Sequence, residues 1–78
     1  MKFTKYFLFR RKFADRAIIT DKWIETVLAF PIKTETQDDG RIKVWGKVEE
    51  ADGKILRVVL LEDGETVHNS FFDRNFKG

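Results

Sequence analysis

The chain has 78 residues, is 42% hydrophobic, 14% aromatic and 36% charged, and carries a formal net charge of +2. That length holds a single domain over residues 1–78, and the mixture is too apolar for a disordered tail and too charged for a membrane span. The absence of cysteine excludes a disulfide framework, a thiolate metal site and a cysteine nucleophile, and the single histidine, His68, excludes a histidine-rich metal cluster. Met1-Lys2 is followed by alternating residues without an apolar signal core, so a cytoplasmic protein away from the membrane is expected. No cofactor and no metal are expected.

The charge is unevenly spread. Residues 1–16 hold six bases (Lys2, Lys5, Arg10, Arg11, Lys12, Arg16) against Asp15, a net +5, while residues 17–78 hold nine bases and twelve acids, a net −3. A basic end beside an acidic remainder suits an anionic partner; the plain alternative is that these bases keep an edge strand soluble.

Taken in chain order, Lys2 to Phe9 is dense in Phe3, Tyr6, Phe7 and Phe9 and predicts a first strand. Ala14 to Ile19 predicts a short helical turn. Thr20 and Asp21 then form a helix start, the hydroxyl as cap and the carboxylate in the first turn. Trp23, Ile24, Val27, Leu28 and Phe30 follow at helical spacing until Pro31 ends the helix. A weakly patterned strand over Ile32 to Thr36 and a turn at Gln37-Asp38-Asp39-Gly40 come next. Three further strands are predicted over Arg41–Glu50, Lys54–Glu62 and Glu65–Phe72, joined at Ala51-Asp52-Gly53 and Asp63-Gly64. The class is α+β: an N-terminal strand, one or two short helices, and an antiparallel meander of three to four strands with the helices on one face.

Turn lengths predict the register. A two-residue Asp63-Gly64 turn sets Val59 opposite His68 and Arg57 opposite Ser70. A three-residue Ala51–Gly53 loop sets Val48 opposite Leu56, Val44 opposite Leu60 and Lys47 opposite Arg57. One face then collects Ile42, Val44, Gly46, Val48, Leu56, Val58, Leu60, Val67 and Phe71, and the helix covers it. The other collects Arg41, Lys43, Trp45, Lys47, Arg57, His68 and Ser70 among Ile55, Val59, Leu61 and Phe72.

That second face carries the candidate chemistry. Cleavage of an RNA phosphodiester by its own 2′-hydroxyl needs a proton acceptor, a proton donor and positive charge at the phosphate. His68 is the side chain whose ordinary pKa suits proton transfer near neutrality, and Arg57 offers a planar fork for phosphate oxygens. Diagonal neighbours on a sheet lie about 7–8 Å apart, which places these two candidate catalytic residues within reach of each other. Arg41, Lys43, Lys47, Arg74, Arg10 and Arg11 are candidate phosphate contacts, and Trp45 or Phe72 could stack a base. The plain alternative is that the cations solvate an outer face and His68 hydrogen-bonds locally. So apolar a face also suits a protein partner or a second copy of the chain.

Asp15-Arg16, Trp23-Ile24, Asp39-Gly40-Arg41, Leu56-Arg57-Val58-Val59, Glu62-Asp63-Gly64, Thr66-Val67-His68-Asn69 and Phe72-Asp73-Arg74 together resemble a family of small, functionally uncharacterised bacterial and archaeal proteins. The layout of helices followed by a meander also resembles the RelE/ParE toxin superfamily, BrnT-like members in particular. This second resemblance implies RNA cleavage, free or on the ribosome, as in many members, with a small antitoxin protein covering the basic face, while other members act on DNA gyrase and some show no toxicity. The expectation here is a toxin-like, metal-independent endoribonuclease. It carries over no catalytic set residue by residue. A non-catalytic module that docks a small partner protein is the other reading.

Overall fold

Threonine hydroxyls, one glycine and one bulge set the architecture, seen in a computed structural model that describes residues 1–77. The elements are β1 (Lys2–Phe3), α1 (Lys5–Arg10), α2 (Ala14–Ala17), α3 (Asp21–Ala29), β2 (Lys33–Thr36), β3 (Ile42–Val48), a 3₁₀ turn (Glu49–Ala51), β4 (Lys54–Leu60) and β5 (Thr66–Phe72). They form a five-stranded sheet in the order β1-β5-β4-β3-β2. Strands β2 to β5 make the expected antiparallel meander, and β1 adds to β5 in parallel, so the sheet is mixed. Among the described residues no helix is long and apolar enough to cross a membrane.

The predicted first strand is a strand only as far as Phe3. The Thr4 hydroxyl accepts the Phe7 N–H at 3.0 Å and starts α1, so most of the aromatic run is helical. Phe7 turns into the core and stacks on Phe3 with ring centroids 4.9 Å apart. Thr20 caps α3 in the same way, accepting the Trp23 N–H at 3.2 Å, as the sequence predicts. Ile24 and Val27 are buried, and Trp23 and Leu28 pack at the rim of the core. Phe30 leaves the stripe: it sits at the helix end ahead of Pro31 and is 75% exposed.

Helix α3 lies on the inner face of the sheet against β3 and β4, and α1 packs on β5, so that Val44, Val48, Leu56, Val58, Leu60 and Val67 join one core with Phe7, Ile24 and Val27. Gly46 makes that approach possible. A Cβ there would stand 3.0 Å from the Val27 Cα and from both its methyl carbons, closer than backbone and side chain tolerate.

Two register expectations are corrected. Between β3 and β4 the connection is longer than the predicted Ala51–Gly53 loop: the 3₁₀ turn is followed by Asp52 and Gly53, both at positive φ (59° and 73°). Val44 therefore faces Val58 and Trp45 faces Arg57, a slide of two residues that keeps every side chain on its predicted face. Lys47 consequently stands opposite Ile55, not Arg57. Between β4 and β5 the pairing starts as predicted, Leu60 opposite Val67, and then a bulge admits an extra residue of β5. Val59 faces Asn69, Val58 faces Ser70 and Arg57 faces Phe71, in place of the predicted Val59–His68 and Arg57–Ser70 pairs. The bulge exchanges faces beyond it: Ser70 is buried and Phe72 packs against the core, while Phe71 turns to the outer face.

The Gly46 contact is testable by denaturant unfolding. Relief of strand glycine entropy would stabilise a Gly46→Ala variant by about 0.5–1 kcal/mol, but overpacking against a helix backbone costs about 1–3 kcal/mol. Net destabilisation is expected, and an unchanged or raised midpoint would mean that α3 is free to move away.

Candidate functional site

The outer face is organised as a row across the sheet. Lys33, Trp45, Arg57 and Phe71 are successive cross-strand partners on β2, β3, β4 and β5. Cation and ring alternate along it: Lys33 Nζ lies 5.5 Å from the Trp45 ring, and the Arg57 guanidinium lies 5.6 Å from Trp45 and 4.6 Å from Phe71. Arg16 of α2 adds a further cation 5.2 Å from the Phe71 ring. Each such contact contributes on the order of 0.5–1 kcal/mol where water still reaches it.

Asp73, just beyond β5, closes over this row. Its Oδ2 accepts the Trp45 indole N–H at 2.9 Å and lies 3.4 Å from Arg57 Nε, and its own N–H donates to the Ile55 carbonyl. Phe76 then lies 5.6 Å from the Trp45 ring. The indole hydrogen bond, the Asn75 N–H and the Arg57 and Lys43 charges outweigh burial and hold the Asp73 carboxyl below the usual range. Trp45, expected to offer a stacking surface, is thereby buried, and Arg57, expected to hold phosphate, is engaged by a carboxylate.

His68 stands apart from this cluster in its contacts. Its Nδ1 lies 3.2 Å from the Thr4 Oγ1, the hydroxyl that caps α1, and its ring stacks on Tyr6 with centroids 5.0 Å apart. The imidazole is half-buried beside the N-terminal segment. Burial, and then the positive charge of Arg41, lower its pKa from 6.5, so the ring is neutral at pH 7. Sequence reasoning missed the Thr4 and Tyr6 contacts because it placed both residues on a strand. A threonine three residues before Phe7 was the available signal.

The other candidates divide. Arg10 lies over Phe13 and 3.9 Å from Asp15. Arg11 covers Phe3 and Phe7 and pairs with Asp21, tying the end of α1 to the start of α3. Both are spent on internal contacts. Lys47 is exposed and 3.5 Å from Glu49. Arg41 borders a shallow depression with Asp39, Leu61, Glu62 and Asp63. Lys43 and Arg74 are in no ion pair among the described residues. Arg74 lies with Arg16, Lys54, Phe71, Phe72 and Phe76 along a groove of ≈ 790 Å³.

Two outcomes follow. Asp73→Ala strands the Trp45 indole N–H and removes the carboxylate charge 3.4 Å from Arg57 Nε, and should cost about 2–3 kcal/mol in denaturant unfolding, more than Phe76→Ala reports for the loss of the covering ring alone. An Asp73→Ala variant as stable as the wild type would remove the closure from the fold's energetics. For His68 the folded pKa lies below the unfolded one, so the unfolded chain binds the proton first as pH falls. Stability should therefore decline from pH 6.5 downwards until the folded state also protonates, and His68→Gln should flatten that part of the profile. An unaltered slope in the variant would place the dependence elsewhere.

Comparison with protein-family models, with curated proteins and with solved structures finds no match to this chain.

Proposed function

We propose that the chain is a toxin-like endoribonuclease that holds RNA on its outer sheet face and moves a proton through His68. The observation that carries this reading is the half-buried His68 set between Thr4 and Tyr6, where burial and the charge of Arg41 lower its pKa and favour the neutral ring. With Nδ1–H donated to the Thr4 oxygen, Nε2 keeps its lone pair and accepts the proton of a ribose 2′-hydroxyl. The 2′-oxygen attacks phosphorus, a 2′,3′-cyclic phosphate forms, and the 5′-oxygen leaves with a proton from water. Arg41 and Lys43 hold the phosphate oxygens in this reading. Arg57, bound to Asp73, positions the row beneath them and does not contact the phosphate. The resemblance to the RelE/ParE superfamily supports the same activity by analogy of layout.

A docking module for a small protein is the second reading. One observation favours it: Leu8, Phe9 and Phe13 stay exposed along the first two helices, beside Lys5 and Lys12.

End-labelled RNA, free and ribosome-bound, separates the two. With EDTA present, wild type should cleave; His68→Ala should lose about 10²-fold or more in rate and Arg41→Ala about tenfold, both remaining folded by circular dichroism. The rate should fall on acidification through a pKa below 6.5, the direction set by burial of His68. Intact RNA with folded wild type, together with arrest-free growth on induced expression, would overturn the nuclease and leave the docking reading. Phe9→Ala and Phe13→Ala should then weaken complex formation.

A further inference from the structure

We propose that β2 is the interface of a symmetric homodimer, two copies pairing antiparallel along this strand about a two-fold axis at Thr34. β2 is an outer strand of the sheet, bonded on one side to β3 and open on the other. The Gln37 N–H donates to the Arg41 carbonyl in the same register, so by alternation Glu35 and Lys33 bond to β3. The N–H and C=O of Thr34 and Thr36 therefore point away from the sheet.

The sequence Lys33-Thr34-Glu35-Thr36 is self-complementary in that geometry. With Thr34 opposite Thr34 of the second copy, the two exchange both backbone hydrogen bonds. Lys33 then faces Glu35 of the other copy, twice over, and opposite charges facing across strands are favourable where like charges are not. Thr36 faces Ile32, and the Thr36 N–H meets the Ile32 carbonyl. The Ile32 N–H is already given to Trp45 and needs no partner there. Ile32 is 53% exposed and Phe30 75% exposed at the head of this strand, apolar surface that the second copy would cover in part.

A short edge strand carrying lysine is also a common way to keep monomers apart. What distinguishes this edge is the order of its charges: a repelling edge would set Lys opposite Lys, and Lys33 and Glu35 around a central Thr34 set Lys opposite Glu. So few bonds make a weak dimer, half formed at about 100 μM or below.

Sedimentation equilibrium on the full chain from 5 to about 500 μM at low salt tests this, the range bracketing the expected midpoint. Wild type should dimerise. Thr34→Pro removes an outward N–H without touching the bonds to β3 and should be monomeric. Glu35→Lys should raise the dissociation constant about tenfold by facing lysines, and the exchanged pair Lys33→Glu with Glu35→Lys should restore it. If Thr34→Pro unfolds by circular dichroism, the charge series decides. A wild-type monomer throughout, or a dimer indifferent to the charge series, would overturn the proposal.

Discussion

The extra residue of β5 decides which side chains share the outer face. Without it, Ser70 would stand opposite Arg57 and Phe71 would be in the core. With it, Ser70 is buried, Asn69 accepts the Ser70 N–H and an Arg16 N–H, and Phe71 joins Trp45 and Arg57 in one row. The bulge also separates His68 from that row. Val67, before it, remains paired to Leu60 and holds β1 through the Thr4 N–H, so His68 meets the hydroxyl of Thr4. One inserted residue thus makes two neighbourhoods: a cation–aromatic row closed by Asp73, and an imidazole held by the cap of α1.

This division explains where the basic N-terminal charge goes. Arg11 reaches Asp21, Arg16 reaches Asn69 and the Ser70 carbonyl, and Arg10 lies against Phe13. Guanidinium groups suit this work: they present several donors in a plane and stack on rings while remaining charged. Helices of six and four residues have little stability of their own. Docking by Phe7, Arg11 and Arg16 holds them to the sheet, so much of the apparent polyanion footprint serves the fold. Among the candidate phosphate contacts of the described residues, unpaired charge is left to Lys43 and Arg74, with Arg41 4.0 Å from Asp39, and the nuclease reading accordingly rests on fewer cations than the composition advertises.

What the sequence made legible follows from how each signal arises. Helix α3 was readable because cap, stripe and terminating proline agree, and the strands β3 to β5 because their apolar residues alternate over seven-residue runs. The inner face survived a two-residue error in the β3–β4 pairing because side chains repeat every two residues. A one-residue bulge has no such protection, and nothing in Thr66–Phe72 marks it, since serine and phenylalanine suit either face of a strand. The Lys2–Phe9 run was misread for a different reason. Aromatic residues favour strands on average, but Thr4 supplies a helix cap and Phe7 a single buried anchor, which suffices for a short helix on an existing core.

Pairing of two copies through β2 has a geometric consequence for the outer face. A two-fold axis through an antiparallel pair stands perpendicular to the sheet, so both outer faces look the same way. Lys33 and Glu35 are on that side, since Lys33 stands over Trp45. In the monomer Glu35 lies 3.9 Å from Lys33 of its own strand and opposite Lys43. Drawn across the axis to the second copy's Lys33, Glu35 would exchange a partner on its own strand for one across the seam, while Lys43, in no ion pair among the described residues, stays on the same face. The dimer would present two such lysines on one continuous surface, and attraction for a polyanion grows with each phosphate neutralised. The edge strand and the catalytic reading of His68 are independent proposals, yet they meet on the outer face: pairing at one edge of the sheet brings the Lys43 of each copy onto one surface that a polyanion can span.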